Sequence, residues 1–177
     1  ETLYIAVIEL NIAYIAQSRG HYRRALRLLY GILERGIEQF PVEYRAVKRD
    51  MAECYLYLNR YADARDLAQR LVADYRNFGA THDTARNLLH LARAEAELNN
   101  FAAAWAALEE AEPIFSSLGA TTWVATTQLW RGRIALKQGN VSSAYELAVV
   151  AGNCFELHSQ WVNYATATLL QGQAQLA

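Results

Sequence analysis

The chain has 177 residues, 53% of them apolar, and its 17 basic and 18 acidic residues leave a net charge of −1. That balance lacks the basic excess by which nucleic-acid surfaces neutralise phosphate, and no run reaches the ~20 uninterrupted apolar residues of a membrane span. With 31 Ala and 23 Leu against 9 Gly and 2 Pro, the composition excludes sandwiches, barrels and disordered tails and points to long helices on short connections.

Taken in chain order, residues 2–17 read as an amphipathic helix (Leu3, Ile5, Ile8, Ile12, Ile15) without the charge and cleavage pattern of a signal peptide. Glu1 rather than Met stands first, so the chain reads as a piece of a longer protein. Polar breaks then divide the chain into helices near 2–18, 22–38, 42–58, 61–77, 82–98, 101–117, 121–138, 141–157 and 160–176. Thr81, Asp83, Thr121 and Thr122 are suitable N-cap types where the fifth and seventh helices start. Arg19, Arg23, Arg24 and Arg27 cluster at the second helix, where a solvated face is the ordinary reading. Cys54 and Cys154 stand alone, with no CxxC or Cys/His grouping; isolated thiols fit a reducing, cytoplasmic compartment.

Self-similarity organises these helices. Tyr22, Tyr61, Phe101 and Val141 recur at intervals of 39, 40 and 40 residues, each after a polar break and each followed three positions later by Ala25, Ala64, Ala104 or Ala144. Nine positions before each stands a small residue, Ala13, Ala52, Ala92 or Gly132, and Gly172 continues the series. Small residues let antiparallel helices cross closely, and the aromatic fills the wedge beside the next pair. No single hairpin buries its apolar face alone, so hairpins stack into a solenoid.

The small residue, turn, aromatic and later Ala resemble the tetratricopeptide repeat (TPR), best in Leu91, Ala92, Leu98, Phe101, Ala104, Leu108 and Ala111. The resemblance spans nearly the whole chain and implies an all-α superhelix of four helical hairpins (2–40, 41–79, 80–119, 120–159) plus a terminal helix at 160–176. It departs from the family in its long period, against about 34 residues, in the missing closing Pro, and in Arg131 replacing an apolar residue beside Gly132. The period and the FGA and LGA junctions resemble arrays of bacterial multidomain proteins, including transcription-regulator arms and arrays fused to CHAT protease domains.

In such arrays the first helix of each pair lines a concave groove. The stripe Arg86, His90, Arg93, Glu97 on the fifth helix recurs as Thr126, Trp130, Arg133, Lys137 one repeat later. Its counterparts are Ala46, Asp50, Glu53, Tyr57 and Val7, Asn11, Tyr14, Ser18 before it, and Thr166, Leu170, Gln173, Ala177 at the end. Arginine holds carboxylates through paired hydrogen bonds, and aromatics give contact area at low entropic cost. The expected groove therefore comprises Asn11, Tyr14, Asp50, Glu53, Tyr57, Arg86, His90, Arg93, Glu97, Trp130, Arg133, Lys137 and Gln173, binding a protein or peptide segment with an acidic feature near Arg86, Arg93 and Arg133. The plainer reading pairs Asp50 and Glu53 with Arg86 and Arg93 and puts Trp130 in the core.

The four histidines have no metal-ligand spacing, and no Gly-rich phosphate loop or GxSxG is present. The expectation is a non-catalytic interaction scaffold without cofactor or metal, binding neither nucleic acid nor membrane. A small-ligand sensor arm is the alternative. Self-association is a further expectation, because the ninth helix would leave Trp161, Tyr164 and Leu169 without a partner helix.

Overall fold

A computed structural model describes residues 2–177. Among them lie nine α-helices: α1 (Thr2–Ser18), α2 (Tyr22–Glu34), α3 (Pro41–Tyr57), α4 (Tyr61–Asn77), α5 (Thr81–Glu97), α6 (Phe101–Ser117), α7 (Thr121–Lys137), α8 (Val141–Leu157) and α9 (Trp161–Leu176). The turns between them are nearly identical because one hydrogen-bond device makes them. Two residues past the end of each helix from α1 to α8 the backbone turns left-handed, and after all of these but α2 the next N–H donates to a carbonyl five positions back. His21 to Ala16 (2.8 Å), Asn100 to Glu95 (2.8 Å) and Gln160 to Phe155 (2.8 Å) are examples. Asn59, Asn99 and Ser159 hold this conformation with a side chain, and glycine supplies it at the other turns.

The device also corrects the expected caps. Ala80 and Ala120, not a Thr or Asp, occupy the N-cap positions of α5 and α7. The Ala80 N–H donates back to Tyr75 (3.0 Å) while its carbonyl accepts from Thr84 (2.9 Å). One residue therefore closes one helix and opens the next, and Thr81 falls inside the first turn. The second helix stops at Glu34 instead of 38, because Gly36 turns left-handed (φ 73°) and a 3-10 turn at Ile37–Gln39 buries Ile37 completely. Pro41 begins α3, where a missing N–H costs no hydrogen bond.

Consecutive helices pack as an all-helical α-solenoid of four hairpins and a ninth helix. Among the described residues α1 touches α3, α3 touches α5, α5 touches α7 and α7 touches α9, while no two of α2, α4, α6 and α8 touch. The odd-numbered helices therefore form the inner, concave layer. Ala13, Ala52 and Ala92 are fully buried, as are Ala25, Ala64, Ala104 and Ala144. At Gly132 the approach is closest: an added Cβ would lie 3.1 Å from Leu170 Cδ2 and 3.2 Å from the Ala144 carbonyl oxygen. Gly172 has no atom within 4 Å of such a Cβ.

The first helix packs differently from its expected amphipathic face. It buries Ala6, Ala13, Ala16 and Gln17, while Ile5, Ile8, Ile12 and Ile15 are exposed. Apolar residues surround most of this helix, and close crossing selects the face with the least bulk. On α6 and α7, Arg131 pairs with Glu112, which also accepts from Gln128, and lies over the Trp105 ring. No helix among the described residues is long and apolar enough to cross a membrane.

Two substitution pairs test this packing by urea denaturation. Gly172→Ala should raise stability by up to about 1 kcal/mol through helix propensity, whereas Gly132→Ala should lower it by about 1–3 kcal/mol through overpacking. Ser159→Gly should stabilise, and Gly119→Ala destabilise, by about 1 kcal/mol each, because both turns hold φ near +60°.

Candidate functional site

The common register of α3, α5 and α7 brings their side chains into one continuous row on the inner layer. Tyr57 stacks on Tyr22, with ring centroids 4.3 Å apart. The Arg93 guanidinium lies 5.2 Å from the Tyr57 ring and 5.2 Å from the Trp130 ring, and Arg133 covers Trp130 at 4.6 Å. Two turns away, Arg86 lies 5.2 Å from Trp123. Cation–π contact of this kind uses none of the guanidinium hydrogen bonds and leaves the N–H edges for another acceptor.

The acidic residues of the stripe do not take those edges. Asp50 is held by its neighbour Arg49 (3.0 Å), which also reaches Asp83 (3.7 Å), and Glu97 pairs with Lys137 (2.8 Å). Arg86, Arg93 and Arg133 form no ion pair among the described residues, and Nε of Arg86 and of Arg93 is buried without a hydrogen-bond partner. The plainer expectation, Asp50 and Glu53 against Arg86 and Arg93, is thereby corrected: Arg49 is adjacent in sequence to Asp50 and reaches it first. Burial, aided by Arg49, lowers the Arg86 pKa, and burial with Arg93 lowers that of Arg133. Burial and crowded positive charge both disfavour their charged forms.

His90 lies beneath this row, 3% exposed, with neither ring nitrogen hydrogen-bonded. Burial first, then Arg93, Arg86 and Arg49, holds its pKa well below the ordinary imidazole value, so it is neutral. It opens on a cavity of about 320 Å³ whose walls include Glu53, Arg86, Arg93, Trp123, Thr126 and Asn163. A second cavity of about 220 Å³ lies toward the helix C-termini, between Glu97, Arg133, Lys137, Leu169 and Gln173.

Of the expected groove residues, Glu53, Arg86, His90 and Arg93 thus meet at the first cavity, and Glu97, Arg133, Lys137 and Gln173 at the second. Tyr57 and Trp130 belong to the stacked row, and Trp130 is also core, at 8% exposure. Asp50 is buried in its bond to Arg49. Asn11 and Tyr14 are exposed on α1 and line neither cavity. The stripe missed Trp123, Arg49, Asn163 and Tyr22. Trp123 lies one helical turn before Thr126, so a stripe drawn two residues wide would have found it. Glu95 accepts from the Asn100 side chain (2.7 Å), and burial pushes the Cys54 thiol up to about 12, which leaves no thiolate at neutral pH.

Neither a family model nor a curated protein matches the chain. Among solved structures it is similar to the crystal structure of BtubC (BKLC) from P. vanneervenii, with a TM-score of 0.65 and 20% identity, over 92% of this chain and 71% of that one. At that identity the likeness speaks for the helical fold alone.

Burying an imidazole with two unsatisfied nitrogens destabilises the fold, and Leu170 shows that the register accepts an aliphatic side chain. His90→Leu should therefore raise stability by about 1–2 kcal/mol. The unfolded state takes up a proton near pH 6.5 that folded His90, with its lowered pKa, refuses. The destabilisation caused by His90 is thus smallest above that pH and grows as pH falls below it, with a limiting slope of about 1.4 kcal/mol per unit. Urea titrations from pH 7.5 to 5 should show that slope in the wild type and its reduction in His90→Leu.

Proposed function

We propose that this chain is a non-catalytic, TPR-like interaction module of a larger, bacterial, cytoplasmic protein. Its inner layer holds an extended or helical protein segment with an acidic or carboxylate feature. The observation that supports this reading is the set of three groove arginines, Arg86, Arg93 and Arg133, placed over aromatic rings and without an ion pair among the described residues. Charge-assisted bonds to such edges contribute about 1.5–3 kcal/mol each, and a solenoid's concave face gives an extended partner many such contacts.

A small-ligand sensor is the second reading, favoured by the 320 Å³ cavity with its Trp123 wall. A metabolite panel in a dye-based melting assay separates the two, because a small ligand raises the melting temperature by mass action. Self-association through α9 is also proposed, from Trp161 and Leu169 at 60% and 61% exposure; light scattering on Trp161→Ser would show whether an oligomer depends on that face.

Selection from a displayed random peptide library tests the first reading. Wild-type protein should enrich Asp- and Glu-containing segments, and the Arg93→Gln/Arg133→Gln double variant should bind them at least about tenfold more weakly, or about 1.4 kcal/mol. Equal affinity in both proteins would sink the charged-groove assignment.

A further inference from the structure

The cavity between α3, α5 and α7 combines three features that the groove reading alone does not require. His90 is almost wholly buried, lines the cavity and leaves both ring nitrogens unbonded. Arg86 and Arg93 line the same cavity with buried Nε–H groups that find no acceptor in the protein. Buried polar groups in folded proteins are nearly all satisfied, so orphaned donors on residues that line one space point to what belongs there. A cation would meet two guanidinium groups, and an apolar group would leave every donor unmet. An oxyanion satisfies them all.

We propose that this cavity is an oxyanion subsite, built to take one carboxylate, phosphate or sulfate group, with His90 donating a ring N–H and Arg86 and Arg93 supplying charge and further donors. The inference rests on the groove reading in that it names the chemical group the groove would recognise. Asn163, at the α9 wall, adds an amide donor. Glu53 is the one carboxylate on the cavity wall and weakens the anion's hold, since Asp50 and Asp83 are engaged by Arg49. The charged groups acting on His90 are Arg86 and Arg93 on its own helix and Arg49 on α3, with Glu53 of α3 on the same cavity wall. From α7 the cavity wall takes Thr122, Trp123 and Thr126, and from α9 Gln160 and Asn163, none of them an acid. The arginines hold His90 neutral without an anion, and an anion's charge offsets them. Proton uptake by His90 then accompanies binding, so affinity rises as pH falls.

Sulfate is the suitable probe, because its charge is constant between pH 7.5 and 5.5. Titration of the whole chain, read by the melting temperature and by the His90 ring 15N resonances, should saturate, while chloride at equal ionic strength should not. Binding should tighten several-fold on going from pH 7.5 to 6. His90→Leu should flatten that pH dependence, Arg86→Gln/Arg93→Gln should weaken binding at least tenfold, and Glu53→Gln should tighten it. The last variant gains function, so a misfolded protein cannot imitate it. A non-saturating response, or equal sulfate affinity in wild type and the double-arginine variant, overturns the subsite.

Peptide arms separate the two claims. Acidic peptides that displace sulfate support an anion carried on a bound segment. A small phosphomonoester that displaces it, with no peptide binding at all, supports the subsite and overturns the peptide groove. Acidic and neutral peptides that bind equally well without disturbing sulfate-free His90 resonances overturn the subsite and support the groove.

Discussion

Close crossing of helices at residues without bulk is the constraint on which the rest of this structure depends. Wherever an inner helix meets its hairpin partner, Ala or Gly is buried at the contact, and at Gly132 not even a methyl group fits without displacing Leu170 or the Ala144 carbonyl. That closeness lets the odd-numbered helices touch each other while the even-numbered ones remain apart. Because the crossing recurs at a nearly constant interval, each inner helix presents the same register to the same face. The row Tyr57, Arg93, Trp130 and Arg133 is the consequence, with Tyr22 of α2 stacked on its end.

The fold was legible in the sequence because its determinants are local and periodic: a small residue, a polar break, an aromatic, an alanine. Boundaries were less so where one residue serves two helices, as Ala80 does, or where Gly36 diverts the chain into a 3-10 turn. The orientation of α1 was misread because its apolar residues surround most of the helix, and crossing distance rather than hydrophobicity chose the buried face.

The site was legible to the extent that it follows the repeat. Arg86, His90, Arg93, Trp130 and Arg133 share a register and were found by it. Trp123 and Arg49 stand beside that register, because a groove is wider than one row of side chains. Ion-pair choice was not readable, since it turns on reach: Arg49 claims both Asp50 and Asp83, and in doing so leaves Glu53 as the one carboxylate on the cavity wall beside Arg86 and Arg93. His90 shows where local economy and structure part. At the same register two repeats on, Leu170 packs at 2% exposure with nothing unsatisfied, so an imidazole there is a departure from the stable solution. Departures of that kind are where function is ordinarily found.

Linear stacking has a further consequence for the His90 cavity. In a solenoid each hairpin is supported by its immediate neighbours, so local opening starts at helices flanked on one side and spreads inward. In this stack α3, α5 and α7 are each flanked by inner-layer neighbours on both sides. The helices that carry the crowded guanidinium groups are therefore braced twice over, and opening any one of them breaks two inner contacts. Electrostatic tension is stored where both neighbours hold it.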